Sequence, residues 1–192
     1  MKRTAKVWMA ASLLSMALVS ISLAAEGKKT KYSPEMQKMV DDMKRVTDER
    51  SVVGKNLETF DTLDYVVFSN QDWVRFHESH ANDIIVNWPD GHHTNGLDKH
   101  IEDLKAMFVY APDTKIKVHP LKFGSGDFTC VTGIMIGTFS KPMPIGNGKF
   151  IQPTGKSFSL PMCTVGHWKD GVMVEEWLYW DNQTYMKQIG VQ

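Results

Sequence analysis

Gly171–Gly190, GVMVEEWLYWDNQTYMKQIG, decides the fold. A turn signal, Lys169-Asp170-Gly171, leads into it. Val172 to Trp180 is dense in β-branched and aromatic residues, the composition of a strand. Asp181-Asn182 then offers the short polar side chains that cap a last helix, and Gly190 offers its stop. A strand with bulky side chains on both faces must be covered on both. The upstream chain has to supply that cover, and a hollow left beneath it is the expected place for function.

Three more strands precede this one: Lys115–Phe123, Phe128–Phe139 and Lys156–Trp168. Gly124-Ser125-Gly126 and the Pro/Gly-rich 141–155 stretch separate them. Further upstream the apolar period is helical. Pro34–Arg50 carries Met36, Met39, Val40 and Met43 at helix spacing, and Ser51–Lys55 is expected to break it. A second helical stretch aligns Leu57, Phe60, Leu63 and Val67, continues through Trp73, Phe76, His77 and His80, and ends there. Ile84–Trp88 is a short strand closed by the Pro89-Asp90-Gly91 turn, and Leu97, Ile101, Leu104 and Phe108 stripe another helix. Helices first and an antiparallel meander after them is an α+β pattern.

Strand register follows from the last turn. A two-residue Asp170-Gly171 loop would set even positions of one strand beside odd positions of the other, whereas a three-residue loop with a bulge keeps parity. The second choice gathers Phe158, Leu160, Met162, Val174, Leu178 and Trp180 on one apolar face. It also turns Glu176 inward, opposite Thr164, where a carboxylate needs a partner or a raised pKa.

Composition narrows the function classes. Basic and acidic residues balance at 22 each in 192 residues, which argues against a nucleic-acid partner. Lys2, Arg3 and Lys6 precede the uncharged Val7–Leu23 run, and Ser22-Leu23-Ala24 fits signal cleavage. Residues 1–24 are therefore expected to be a signal peptide, with export to a bacterial periplasm and no membrane association after cleavage. Residues 25–54 would be an extension holding a helix, and 55–192 the main domain. Cys130 and Cys163 are expected on neighbouring strands, with two buried thiols preferred over a bridge.

The stretches His80-x-x-Asp83, Val86 to Gly91, Gly96–Phe108, Gly133–Phe139 and Asp170 through Gly190 together resemble the SnoaL-like polyketide (ester) cyclases of the nuclear-transport-factor-2-like superfamily. The resemblance covers about residues 55–191. It implies a cone-shaped curved antiparallel sheet wrapped around N-terminal helices, a cystatin-like α+β barrel. It implies a small-molecule ligand, no cofactor, and a homodimer paired through the outer sheet face, here carrying Trp177 and Tyr179. Cyclases of this family use a cavity carboxylate as general acid/base. Its position, three before the Asp181 equivalent, is Leu178 here, and the partnering polar positions fall near Met162 and Thr164.

Two readings of activity follow. In the first the chain is an exported enzyme doing cofactor-free acid/base chemistry on an apolar, carbonyl-bearing molecule: a cyclase, isomerase, hydratase or hydrolase. Glu176 and His80 form the acid/base pair, Asp181 is a third candidate with N-cap as its default role, and Trp88, His100, Met162, Leu178 and Trp180 shape the pocket. In the second the fold is a non-catalytic ligand-binding or scaffold module. Five of the seven histidines fall between His77 and His100, but His77-Glu78-Ser79-His80 is one residue short of H-E-x-x-H, so no metal is expected.

Overall fold

A computed structural model describes residues 32–191; the expected signal peptide lies outside them. The chain divides into two compact units, residues 1–45 and 46–192. In the first, the described residues form the opening turns of helix α1 (Pro34–Thr62), with Met36, Met39 and Met43 exposed.

The second unit holds everything else. Helix α1 runs through the expected break at 51–55. Ser51 and Gly54 cost at most about 1 kcal/mol each in helix propensity, too little to end a helix whose next turns bury Asn56 and Phe60. It widens into a π-helical turn, Leu63–Phe68, and a 3-10 helix follows at Trp73–Glu78. Then come β1 (His80–Asn87), β2 (His93–Asn95), α2 (Leu97–Tyr110), β3 (Lys115–Ile116), β4 (Lys122–Ser125) and β5 (Phe128–Thr138). A small hairpin, β6 (Met143–Pro144) with β7 (Phe150–Ile151), leads to β8 (Ser157–Lys169), β9 (Val172–Trp180) and α3 (Asn182–Ile189).

Seven strands make the main sheet in the order β2-β1-β9-β8-β5-β3, with β4 also on β5. The β1–β9 pair is parallel and the others are antiparallel. The result is a curved α+β sheet packed on helices, open along its edges and not closed into a barrel. The strand expected at 115–123 is two strands. Pro120 cannot donate to a ladder, and the His119 side chain is turned into the core.

The last hairpin keeps the expected parity by a different device. Asp170 and Gly171, at φ 52° and 85°, form a two-residue turn of the kind that matches strand twist. The slip in register comes inside β9, between the Trp168–Met173 and His167–Glu175 pairs, so Val174 bulges. Met173 therefore takes the fully buried place expected for Val174, which is only half-buried. Glu176 faces Gly166, and Leu178 faces Thr164, one step from the expected pairing. Gly166 is needed there, because a Cβ would stand 2.7 Å from the Met173 sulfur and 3.0 Å from the Trp168 indole nitrogen. Cys130 and Cys163 are diagonal neighbours with free thiols, Sγ to Sγ 3.6 Å. Burial and the neighbouring thiol push Cys163 up to about 11.

Candidate functional site

His80 opens β1; it does not end a helix. The preceding 3-10 turn fixes its ring. Nδ1 lies 2.9 Å from Ser79 Oγ and 3.2 Å from the Phe76 carbonyl, and the Ser79 hydroxyl itself donates to that carbonyl. Both partners accept, so Nδ1 carries a proton. Phe76 stacks on the imidazole at 5.4 Å between centroids. Nε2 is left to meet Glu176 Oε2 at 3.1 Å, across the parallel β1–β9 pair. Both side chains are buried, 1% and 6% exposed.

Burial alone would raise the Glu176 pKa. The His80 hydrogen bond and the histidine charges reverse it, and the carboxyl is held below its ordinary value. Sequence reasoning allowed either a partner or a raised pKa, and the partner decides it. His100, from α2, stands 3.8 Å from the same oxygen through Nε2, and burial pushes it down to about 4. It is thus a neutral imidazole at pH 7. Its Nδ1 is buried without a hydrogen-bond partner among the described residues. One donor atom from each of His80, His100 and Glu176 lies within 4.8 Å of the others, a spacing that could hold a divalent cation.

These groups line a hollow under the sheet, walled by Trp88, His100, Met162, Leu178 and Trp180, all expected in the pocket. About 60 Å³ remains open to the centres of water-sized occupants, room for a few waters or a small polar head. Trp88 and Trp180 meet edge to face at 6.1 Å. The Trp88 indole donates to Thr94 Oγ1, which donates to Asp103 Oδ2, each at 2.8 Å; the Trp180 indole donates to Asn182 Oδ1 at 2.7 Å. Trp88, Met162 and Trp180 also line a wider groove on the outside, with Tyr179 and Pro161. These three side chains are common to the hollow and the groove.

Asp181 does not line the hollow, although it borders the outer groove. It is exposed and caps α3, accepting from the Gln183 amide at 2.9 Å and the Thr184 hydroxyl at 2.7 Å. His77, His92 and His93 are exposed and do not converge with His80 and His100. His92 stacks on Trp88 and pairs with Asp90.

A second group of polar residues went unread in the sequence. Asp64, in the π-helical turn, lines the hollow and is buried. His119 bridges it to Asp61: Nε2 to Asp64 Oδ2 and Nδ1 to Asp61 Oδ1, both 2.8 Å. Tyr65 stacks on the His119 ring at 4.5 Å, and Lys122 reaches Asp61. The signal was present: Phe60, Asp64 and Val67 share one helix face, so an acid sits in an apolar stripe.

The SnoaL-like polyketide cyclase model matches residues 61–189, about two thirds of the chain. Solved structures share the fold. A SnoaL-like candidate polyketide cyclase from Jannaschia sp. CCS1 superposes with a TM-score of 0.64 at 18% identity, covering 85% of this chain and 99% of its own. IdmH of Streptomyces antibioticus, a candidate polyketide cyclase, gives 0.60 at 23%, covering 71% and 99%. A candidate polyketide cyclase from Xanthomonas campestris pv. campestris gives 0.62 at 15%, covering 72% and 98%. No curated protein matches significantly. With residues 61–189 matched and the curved sheet in place, this chain belongs to the SnoaL-like polyketide cyclase family.

Proposed function

We propose that the protein is an exported enzyme that moves protons on a small carbonyl compound without a cofactor, with Glu176 as base and His80 as its proton partner. The observation that carries this reading is the 3.1 Å contact between two buried titratable groups on the wall of a hollow. Glu176, held below its ordinary pKa, can take a proton from a carbon flanked by carbonyls, with His80 as its hydrogen-bonded partner. Leu178 holds the place of the family carboxylate, and Glu176 lies one same-face step away, about 7 Å along the strand.

The size of the hollow limits what enters. A multi-ring molecule does not fit inside it. A carbonyl head in the hollow, with an apolar body on Trp88, Tyr179 and Trp180 in the outer groove, does. Export rests on the positive and apolar pattern of residues 1–24. Pairing into a homodimer rests on Phe123, Phe128 and Tyr179, exposed on the sheet; light scattering that reads a monomer at micromolar concentration would contradict it.

The test is hydrogen–deuterium exchange at C2 of ethyl acetoacetate in D2O, followed by proton NMR. The full chain should accelerate exchange at least ~100-fold over buffer at the same pH. No acceleration with ethyl acetoacetate or with longer-chain β-keto esters would favour a second reading, a binding module. Leu178 in the family's carboxylate position is the observation on that side.

A further inference from the structure

Three carboxylates line the hollow, Asp64, Asp103 and Glu176; the proposed function uses one, and Asp103 is engaged by the Thr94 hydroxyl and by Lys99. Asp64 comes from the π-helical turn and lines the hollow together with Glu176 of β9. Its backbone carbonyl is held by the Ser69 hydroxyl at 2.6 Å, and Ser69 Oγ in turn accepts the Ile116 amide at 3.0 Å, so the widened turn is pinned. A buried carboxyl on a pinned turn does not drift toward solvent.

We propose that Asp64 is a second catalytic acid of the hollow that Glu176 also lines, and that His119 and Asp61 are positioning residues that hold and balance it. This rests on the proton-transfer reading above. Glu176 takes the proton from carbon, breaking the C–H bond. Asp64 gives its carboxyl proton to the carbonyl oxygen, where a new O–H bond forms. The electron pair of the C–H bond becomes the C=C bond of the enol. The Asp64 carboxylate left behind accepts from His119 Nε2–H, while Nδ1–H is anchored on Asp61. The reverse transfers at another carbon or oxygen complete an isomerisation.

The surroundings agree with this division of labour. Burial raises the Asp64 pKa more than the His119 hydrogen bond lowers it, and the Glu176 charge adds to the rise, while His80 opposes it. Glu176 is shifted the other way. Two acids pushed apart across one cavity give an acid and a base at the same pH. Burial would lower His119, but its hydrogen bonds to Asp64 and Asp61 and their charges raise it. Asp61 is kept ionised: burial is outweighed by Lys122 and His119.

The first measurement needs no substrate. Carbon-13 NMR of the full chain labelled at the aspartate carboxyls should show Asp64, assigned with Asp64→Asn, titrating well above an ordinary aspartate. His119→Gln should move that titration further up. An Asp64 signal with an ordinary titration, or one unmoved by His119→Gln, would overturn the proposal even if exchange activity is found. The second is the ethyl acetoacetate exchange. Asp64→Asn should lower kcat about 100-fold with little change in KM and remove the alkaline limb of the pH profile. His119→Gln should shift that limb upward, which a merely structural residue would not do. An intact alkaline limb in Asp64→Asn would overturn the proposal. Absence of exchange in the unaltered chain would instead remove the proposed function, and the carboxyl titration would still decide whether Asp64 bears a proton.

Discussion

The two histidine–carboxylate clusters in this molecule are built alike and wired differently. His80 and Glu176 sit on adjacent strands, and neither reaches solvent. His119 is as deeply buried, but its chain of partners runs outward through Asp61 to Lys122, which is 37% exposed. The first cluster is a closed pair with one neutral histidine beside it. The second is a buried histidine held between two acids and tied to a surface lysine. The difference teaches how one cavity can shift two acids in opposite directions. The closed pair lowers Glu176 by direct contact with His80, and the tied cluster leaves Asp64 dominated by desolvation.

The largest effect should come from opening the closed pair. His80→Ala strands Glu176 without its hydrogen-bonded partner, and breaking one side of a buried pair costs about 3–5 kcal/mol. In a chain of this size that lowers the thermal midpoint by roughly 6–20 °C. The folded Glu176 pKa is depressed, so the pair's stability is present above the unfolded carboxyl value and is lost as pH falls through the folded one. The His80→Ala penalty should therefore be full at pH 7 and should shrink toward pH 4. A penalty independent of pH would mean that packing, and not the ion pair, is what His80 supplies.

A smaller effect should come from the tied cluster. His119→Gln keeps one hydrogen bond and Lys122 still neutralises Asp61, so about 1–3 kcal/mol is expected. Folding raises the His119 pKa, so its contribution is complete below the unfolded value, about 6.5, and is lost as pH rises through the folded one. The His119→Gln penalty should fall with rising pH, opposite to His80→Ala. Two penalties that change with pH in the same direction would erase the contrast between the clusters. Thermal unfolding of both variants from about pH 3 to pH 9 checks it.

Much of the fold was legible because its signals are local. The β9 aromatics, the Asp181 cap and the Gly190 stop stand within one 20-residue stretch, and the helix forms as read, with Gly190 at φ 76°. Glu176, His80, Trp88 and His100 could be gathered because a period-2 strand and a period-3.6 helix each fix a face. The Val174 bulge could not be read, since a bulge and a longer loop give the same parity. Asp64 and His119 are 55 residues apart, and no periodicity links a helix position to a loop histidine. The continuous helix through Gly54 shows tertiary packing overriding a weak local break.

Replacing the Glu176 carboxylate by its isosteric amide tests the central claim most directly. In the ethyl acetoacetate exchange, Glu176→Gln should lose at least ~100-fold in kcat. His80 can still donate to the amide oxygen, so the midpoint should stay much closer to the unaltered chain than that of His80→Ala. Exchange at the unaltered rate in Glu176→Gln would contradict the account and move the chemistry, if any, to another group.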